Sequence, residues 1–285
     1  MSLGLVYKDE KRIYSEVMDE TPYLEYSLLK DTGFISHGFS TRLGGVSKGY
    51  YSSLNLGFAK KDERDFVLEN FRRIGRSMNI SIEDMVFSHQ THTNNVIVVD
   101  EKDKGNGITK PQRYSNVDGL VTNAPNVCLV TSYADCVPLY FVDTVNKVIG
   151  LSHSGWRGTT LKIARETVAL MSNKFNSKPE NILAAIGPSI CQGCYEVSED
   201  VIVEFRNNFC QNLWNELYYK KGNGKYHLDL WKANEFILRE AGLLPKNIIT
   251  GNLCTMCNSS VLFSHRIAGD KRGCLAAFLM INSYK

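Results

Sequence analysis

Short runs of β-branched and aromatic residues recur along this chain, and most are apolar at consecutive positions rather than alternate ones. They include 95–100 (NVIVVD), 127–133 (VCLVTSY), 138–142 (PLYFV), 147–152 (KVIGLS), 182–187 (ILAAIG), 259–264 (SSVLFS) and 274–281 (CLAAFLMI). Successive side chains of a strand point to opposite faces, so such runs need an apolar partner on both sides. These strands belong inside layers.

The covering layers show as helical spacing. Val67, Phe71, Ile74 and Met78 step by 4, 3 and 4, and Leu161, Ala164, Val168, Met171 and Phe175 step by 3, 4, 3 and 4. Residues 199–209 (EDVIVEFRNNF) predict a third helix and 229–242 (DLWKANEFILREAG) a fourth, with Gly242 as its C-terminal cap. Polar stretches at 102–115 and 219–227 read as surface loops. No linker, repeat or low-complexity tract divides the 285 residues. The expectation is one domain, 1–285, of mixed α and β structure with buried sheets.

Composition narrows the function. The net charge is only +3 and no basic stripe accompanies it, which argues against nucleic acid. No apolar run reaches the ~20 residues of a membrane span, and the opening MSLGLVYKDEKR lacks a signal-peptide core. No membrane partner is therefore expected, and the expected location is the cytoplasm. There, eight cysteines are thiols, ligands or catalytic groups before they are disulfides.

The segment from Ala134 to Thr160 holds the strongest chemical signal. If 138–142 and 147–152 form a hairpin around Asp143–Asn146, Val142 pairs with Lys147. The same register sets Cys136 opposite His153, with Cβ atoms about 5 Å apart. A facing Cys and His can be packing, a thiolate–imidazolium nucleophile, or two ligands of a soft or borderline metal. After His153, Ser-Gly-Trp-Arg-Gly leads into a helix, a turn whose backbone N–H groups and Arg157 suit an anion. His89 and His92 precede a strand on opposite faces, so one of them is expected to join Cys136. The loop around Arg42 and Asn55 (GFSTRLGGVSKGYYSSLNLG) looks like an anion- or sugar-binding loop.

In order along the chain stand HGFSTRLGGVS, LNLG, HQTH, VDGLVTN, YADCVPLYFVD, SHSGWRGT, AAIGPSICQGCYEVSEDV, HLDLWKAN and NLCTMCN…FSHR. This ordered set, covering almost the whole chain, resembles the YfiH-like or laccase-domain family. The family was once described as polyphenol oxidases and later as zinc-dependent purine nucleoside phosphorylases with adenosine deaminase and methylthioadenosine phosphorylase activity. The resemblance implies an α+β fold, a single compact domain of layered mixed sheets flanked by helices in an α/β/β/α sandwich. It also implies one catalytic zinc held by His92, Cys136 and His153, the same three residues forming the catalytic set. Arg42, Asn55 and Arg157 become the substrate-binding candidates, with Arg42 the first choice as phosphate anchor. Asp118 and Asp135 are candidate orienting or proton-handling carboxylates. The chain departs from the family near its end, with His265 in place of a tyrosine and Arg272-Gly273 in reversed order.

The implied substrates are purine nucleosides (adenosine, inosine, guanosine, methylthioadenosine) and phosphate. Three alternatives stand beside this: a copper-dependent polyphenol oxidase, with copper as the metal; a cysteine hydrolase using Cys136 and His153; and a non-enzymatic nucleoside sensor. Six histidines without a His-x-His pair are few for a multicopper centre. Two CxxC pairs, Cys191/Cys194 and Cys254/Cys257, lie some sixty residues apart. They are read as buried thiols, with a four-cysteine zinc site or a redox pair as lesser readings.

Overall fold

Along the strand Val137–Asp143 every residue is buried, but successive side chains enter different cores. Tyr140 and Val142 join Ile149 and Leu151 against Tyr26, Phe39, Leu129 and Leu279. Val137, Leu139 and Phe141 point the other way, among Val168 and Met171 of the helix Ile163–Phe175 and Ile237 of the helix Leu230–Glu240. The first core lies between two sheets and the second under helices. Fully burying a side chain such as Phe141 contributes about 1.5–3 kcal/mol, so these paired faces dictate the layering.

This computed structural model describes residues 2–11, 13–59 and 61–283. One six-stranded sheet runs in the order Tyr14–Val17, Tyr23–Tyr26, Ile35–Ser40, Leu275–Ile281, Cys128–Tyr133, Met85–Phe87. The other runs Ile248–Ile249, Ile182–Ile186, Val137–Asp143, Val148–Ser154, Gly119–Thr122, Val96–Val98. Both mix parallel and antiparallel neighbours. On the far face of the first sheet, Val67, Phe71 and Ile74 of the helix Arg64–Met78 cover Cys128, Val130 and Phe278. The result is the expected α/β/β/α arrangement, an α+β fold.

The helices at 64–78, 199–208 and 230–240 fall where their spacing predicts, and Asp229 caps the last by accepting from Lys232 N at 2.9 Å. Three expectations need correction. Leu161 is outside its helix and half exposed, because Lys162 at φ 61 breaks the chain between a short helix, Trp156–Thr160, and Ile163–Phe175. Residues 259–264 form no strand; Val261 N and Leu262 N instead donate to Asn258 O at 2.9 and 2.8 Å in a turn. The polar stretch 219–227 is a hairpin, Tyr218–Lys220 with Tyr226–Leu228, extended by Glu196–Val197 into a three-stranded sheet.

The hairpin that carries Cys136 and His153 also differs in register. Asp143 pairs with Val148 and Pro138 with His153. The turn is therefore Thr144–Lys147, with Asp143 Oδ1 accepting from Val145 N and Asn146 N at 2.9 and 3.1 Å and Lys147 at φ 53. The sequence expectation placed the turn one residue too early, so its direct pairing of Cys136 with His153 is wrong. The slip shifts partners by an even number, which keeps both side chains on one face as diagonal neighbours.

Candidate metal centre

Three segments converge at one end of this hairpin. His153 is the penultimate residue of the strand Val148–Ser154, and Cys136 immediately precedes the opposing strand. His92 lies on a loop at φ 66, a backbone state uncommon for a non-glycine residue. Its imidazole Nε2 is 3.9 Å from Cys136 Sγ, and its ring meets that of His153 edge-on at 4.9 Å between centroids. One ligand atom from each of His92, Cys136 and His153 lies within 4.8 Å of the others.

A single carboxylate organises this geometry. Asp118, fully buried, accepts from His153 Nδ1 at 2.8 Å and from the backbone N of Thr91, His92 and Thr93 at 3.1, 3.0 and 2.9 Å. Thr93 Oγ1 adds a fifth donor at 2.9 Å. Burial works against the charge of Asp118, but the hydrogen bond and charge of His153 and the Thr93 and Thr91 N–H groups overcome it, holding the carboxyl at about 2. With Nδ1 turned to Asp118, His153 presents Nε2 to the cluster, the nitrogen that a metal ion would take in place of a proton. Burial likewise pushes the Cys136 thiol up, yet His153 and His92 pull it well below its usual value. His153 is correspondingly raised, chiefly by the thiolate of Cys136, despite its burial.

Two imidazoles and a low-pKa thiol are a donor set for a borderline metal ion. The local backbone leaves room for one: a Cβ at Gly155 would stand 2.9 Å from His92 Cδ2 and 3.1 Å from Cys136 Sγ. Only glycine keeps this floor open. Beyond the cluster is a cavity of about 240 Å³ whose wall includes Trp156, Arg157, Ile190, Tyr195, Leu230 and His265. Three donors opening onto a cavity match a catalytic site with a free coordination position.

The other candidates divide. Arg157 is exposed on the cavity wall, stacked 4.2 Å from the Trp156 ring, and its guanidinium has no hydrogen-bond or carboxylate partner among the described residues. Arg42 is not on this wall. Its Nε and Nη2 donate to Ser52 O at 3.1 and 2.8 Å, its Nη1 to Ser259 O at 2.9 Å, and it packs on Phe263. Asn55 is fully buried, donating to Asp62 and accepting from Gly57 N and Cys274 N. Asp135 lines the cavity, but its carboxylate accepts from Thr255 Oγ1, Ser264 Oγ and Arg266 N and ties the Cys136 turn to the C-terminal segment. His89 borders a different cavity. Trp156 and Tyr195 escaped notice as wall residues, although each directly adjoins a residue already marked, Arg157 and Cys194.

Residues 36–282 match the model of a family described as multi-copper polyphenol oxidoreductase laccase. This chain belongs to that laccase-domain family. Two relatives define the neighbourhood. Purine nucleoside phosphorylase YlmD of Bacillus subtilis is 36% identical over 248 residues, 85% of this chain and 87% of the relative. Adenosine deaminase RL5, from an unknown prokaryotic organism, is 34% identical over 237 residues, 82% of this chain and 90% of the relative. The crystal structure of the Bacillus licheniformis hypothetical protein YfiH superimposes with a TM-score of 0.89 at 31% identity, covering 95% of this chain and all of that one.

The family description names several coppers, and the histidines here do not fit such a centre. His37 is buried in the first sheet, where it accepts from Tyr26 N; His227 Nδ1 bonds to Gln192 O; and His89 is elsewhere. In this laccase-domain protein only His92 and His153 share the cluster, with His265 on the cavity wall. No helix is long and apolar enough to cross a membrane among the described residues.

Proposed function

We propose that this chain is a zinc-dependent purine nucleoside phosphorylase that also deaminates adenosine. The observation that carries it is the open three-donor cluster of His92, Cys136 and His153 facing the cavity of Trp156, Tyr195 and unpartnered Arg157. The names of the phosphorylase and deaminase relatives support the same reading. His92, Cys136 and His153 would hold the zinc, which when bound supplies a Lewis acid at its open position.

The remaining roles belong to the chain. Asp118 fixes the orientation of His153 and the backbone of His92, so the donors are set before substrate arrives. Trp156 and Tyr195 offer aromatic faces to a purine. Arg157 is the phosphate anchor, its planar fork matching phosphate oxygens while phosphate attacks the ribose C1′ and the purine leaves. The departing purine needs a proton at a ring nitrogen. His265, the one imidazole on the wall outside the cluster among the described residues, is the proposed donor. Asp118 and Asp135 are left orienting roles, because their oxygens are already engaged. Incubating inosine and adenosine with and without phosphate, followed by chromatography, tests the assignment. Free purine base and ribose-1-phosphate that require phosphate support it; their absence with zinc-loaded protein overturns it.

One observation favours a second reading. Cys136, His153 and Asp118 also have the chemistry of a nucleophile, base and orienting acid, with the thiol already lowered. Alkylation separates the two. Zinc should protect Cys136 until a chelator removes it, whereas a cysteine hydrolase would be inactivated equally with and without chelator.

A further inference from the structure

The two CxxC pairs, distant in sequence, meet in space. Cys191–Cys194 sits on the one-turn helix Gln192–Cys194, with Cys194 N donating to Cys191 O at 3.0 Å. A short parallel bridge between Ser189 and Cys254 lays the second pair beside it, through Ser189 N to Leu253 O at 3.2 Å and Thr255 N to Ser189 O at 3.1 Å. All four sulfurs lie within 4.8 Å of one another, and Cys194 Sγ is 3.5 Å from Cys257 Sγ. Four thiolates at tetrahedral Zn–S distances of about 2.3 Å would stand about 3.8 Å apart. None of the four is in a disulfide.

The surroundings suit a charged thiolate cluster. Cys191 N donates to Cys254 Sγ at 3.3 Å, a backbone contact that stabilises a thiolate. Lys8 is held nearby, its backbone N donating to Asn252 O at 2.8 Å, and its ammonium, raised above its usual value chiefly by Cys257, lies beside the cysteines. Arg266 donates to Glu196 O and Cys194 O. A zinc ion with four thiolates carries two negative charges, and these cations sit where that charge would be.

We propose that Cys191, Cys194, Cys254 and Cys257 form a second, structural zinc site. Four thiols coordinate one Zn²⁺ and release their protons to solvent, with no change of oxidation state. The ion would clamp segment 189–195, which carries Ile190 and Tyr195 of the cavity wall, to segment 253–257, whose Thr255 holds Asp135. The site is independent of the nucleoside reading, because it shares no ligand with the His92, Cys136 and His153 cluster.

Elemental analysis of protein purified under reducing conditions tests this. The parent should carry about two zinc per chain and the Cys136→Ser variant about one, retained through Cys191, Cys194, Cys254 and Cys257. The Cys194→Ser/Cys257→Ser variant should lose that zinc and keep the other. Should that variant not fold, thiol titration of the intact Cys136→Ser protein decides: its four clustered thiols should resist a chromogenic disulfide reagent until chelator is added, and chelation should lower Tm by about 5 °C or more. Zinc absent from folded Cys136→Ser, iron in its place, or disulfides among these cysteines by intact mass would overturn the proposal.

Discussion

His153 Nδ1 lies 2.8 Å from Asp118 Oδ1, and the same oxygen accepts the backbone N of His92 at 3.0 Å. One carboxylate thereby positions two of the three donors, His92 and His153, beside Cys136. Asp118→Asn replaces Oδ2 or Oδ1 with an amide nitrogen and leaves N–H groups of the 91–93 loop or His153 without an acceptor. Zinc affinity by chelator competition should fall about 10–100-fold while the far-ultraviolet circular dichroism stays near the parent's. Unchanged affinity would show that the donors are ordered without Asp118.

Gly155→Ala adds a carbon against Cys136 Sγ and His92 Cδ2 at the floor of the cluster. Zinc occupancy and nucleoside turnover should both drop, turnover by about tenfold or more. The equivalent change at Gly222, in the hairpin turn away from both clusters, where an added Cβ meets nothing within 4 Å, is the control and should be silent for turnover.

The two arginines should separate cleanly. Arg157→Ala should raise the KM for phosphate about tenfold, as expected for a lost charged contact, and affect deamination less, since that reaction uses water. Arg42→Ala removes donors to Ser52 O and Ser259 O and packing on Phe263. It should cost about 1–3 kcal/mol of stability and leave the phosphate KM near the parent value. A phosphate-specific KM effect at Arg42 would restore it as the anchor.

His37 gives stability a pH dependence unrelated to the metal. Burial between the sheets lowers its pKa to about 4, with a smaller lowering from Lys30, and outweighs Glu25 and the Tyr26 hydrogen bond, which act the other way. The unfolded chain therefore binds the extra proton between pH 6.5 and 4. This contribution is complete above about pH 6.5 and fades as pH falls, by about 3 kcal/mol across the window. His37→Gln, which keeps an acceptor for Tyr26 N–H, should flatten the fall in Tm between pH 7 and 5. An unaltered slope would place the effect elsewhere.

Much of this was readable from residue order, and the exceptions have physical causes. Apolar runs such as 138–142 announce strands buried on both faces, and the spacing of Val67 to Met78 announces the helix that covers them. The register error came from Lys147, which adopts φ 53 although lysine gives no sign of it, so the turn began one residue later than Asp143 suggests. The face survived because the slip was even. Val261–Phe263 misled because apolar composition cannot separate a strand from a buried turn whose amides find Asn258 O. At Arg42 residue type alone does not choose, because a guanidinium that suits phosphate equally suits the carbonyls of Ser52 and Ser259 to which it donates. The meeting of the CxxC pairs was hidden by sixty residues of chain, since the Ser189–Cys254 bridge has no local sequence signal.

Zinc titration into metal-stripped protein, with purine base and ribose-1-phosphate followed from inosine and phosphate, is the most direct test of the central claim. The folded parent should regain turnover in proportion to zinc filling of the His92, Cys136 and His153 cluster, and folded Cys136→Ser should regain none. Turnover in metal-free parent, or full recovery in Cys136→Ser, would contradict the account.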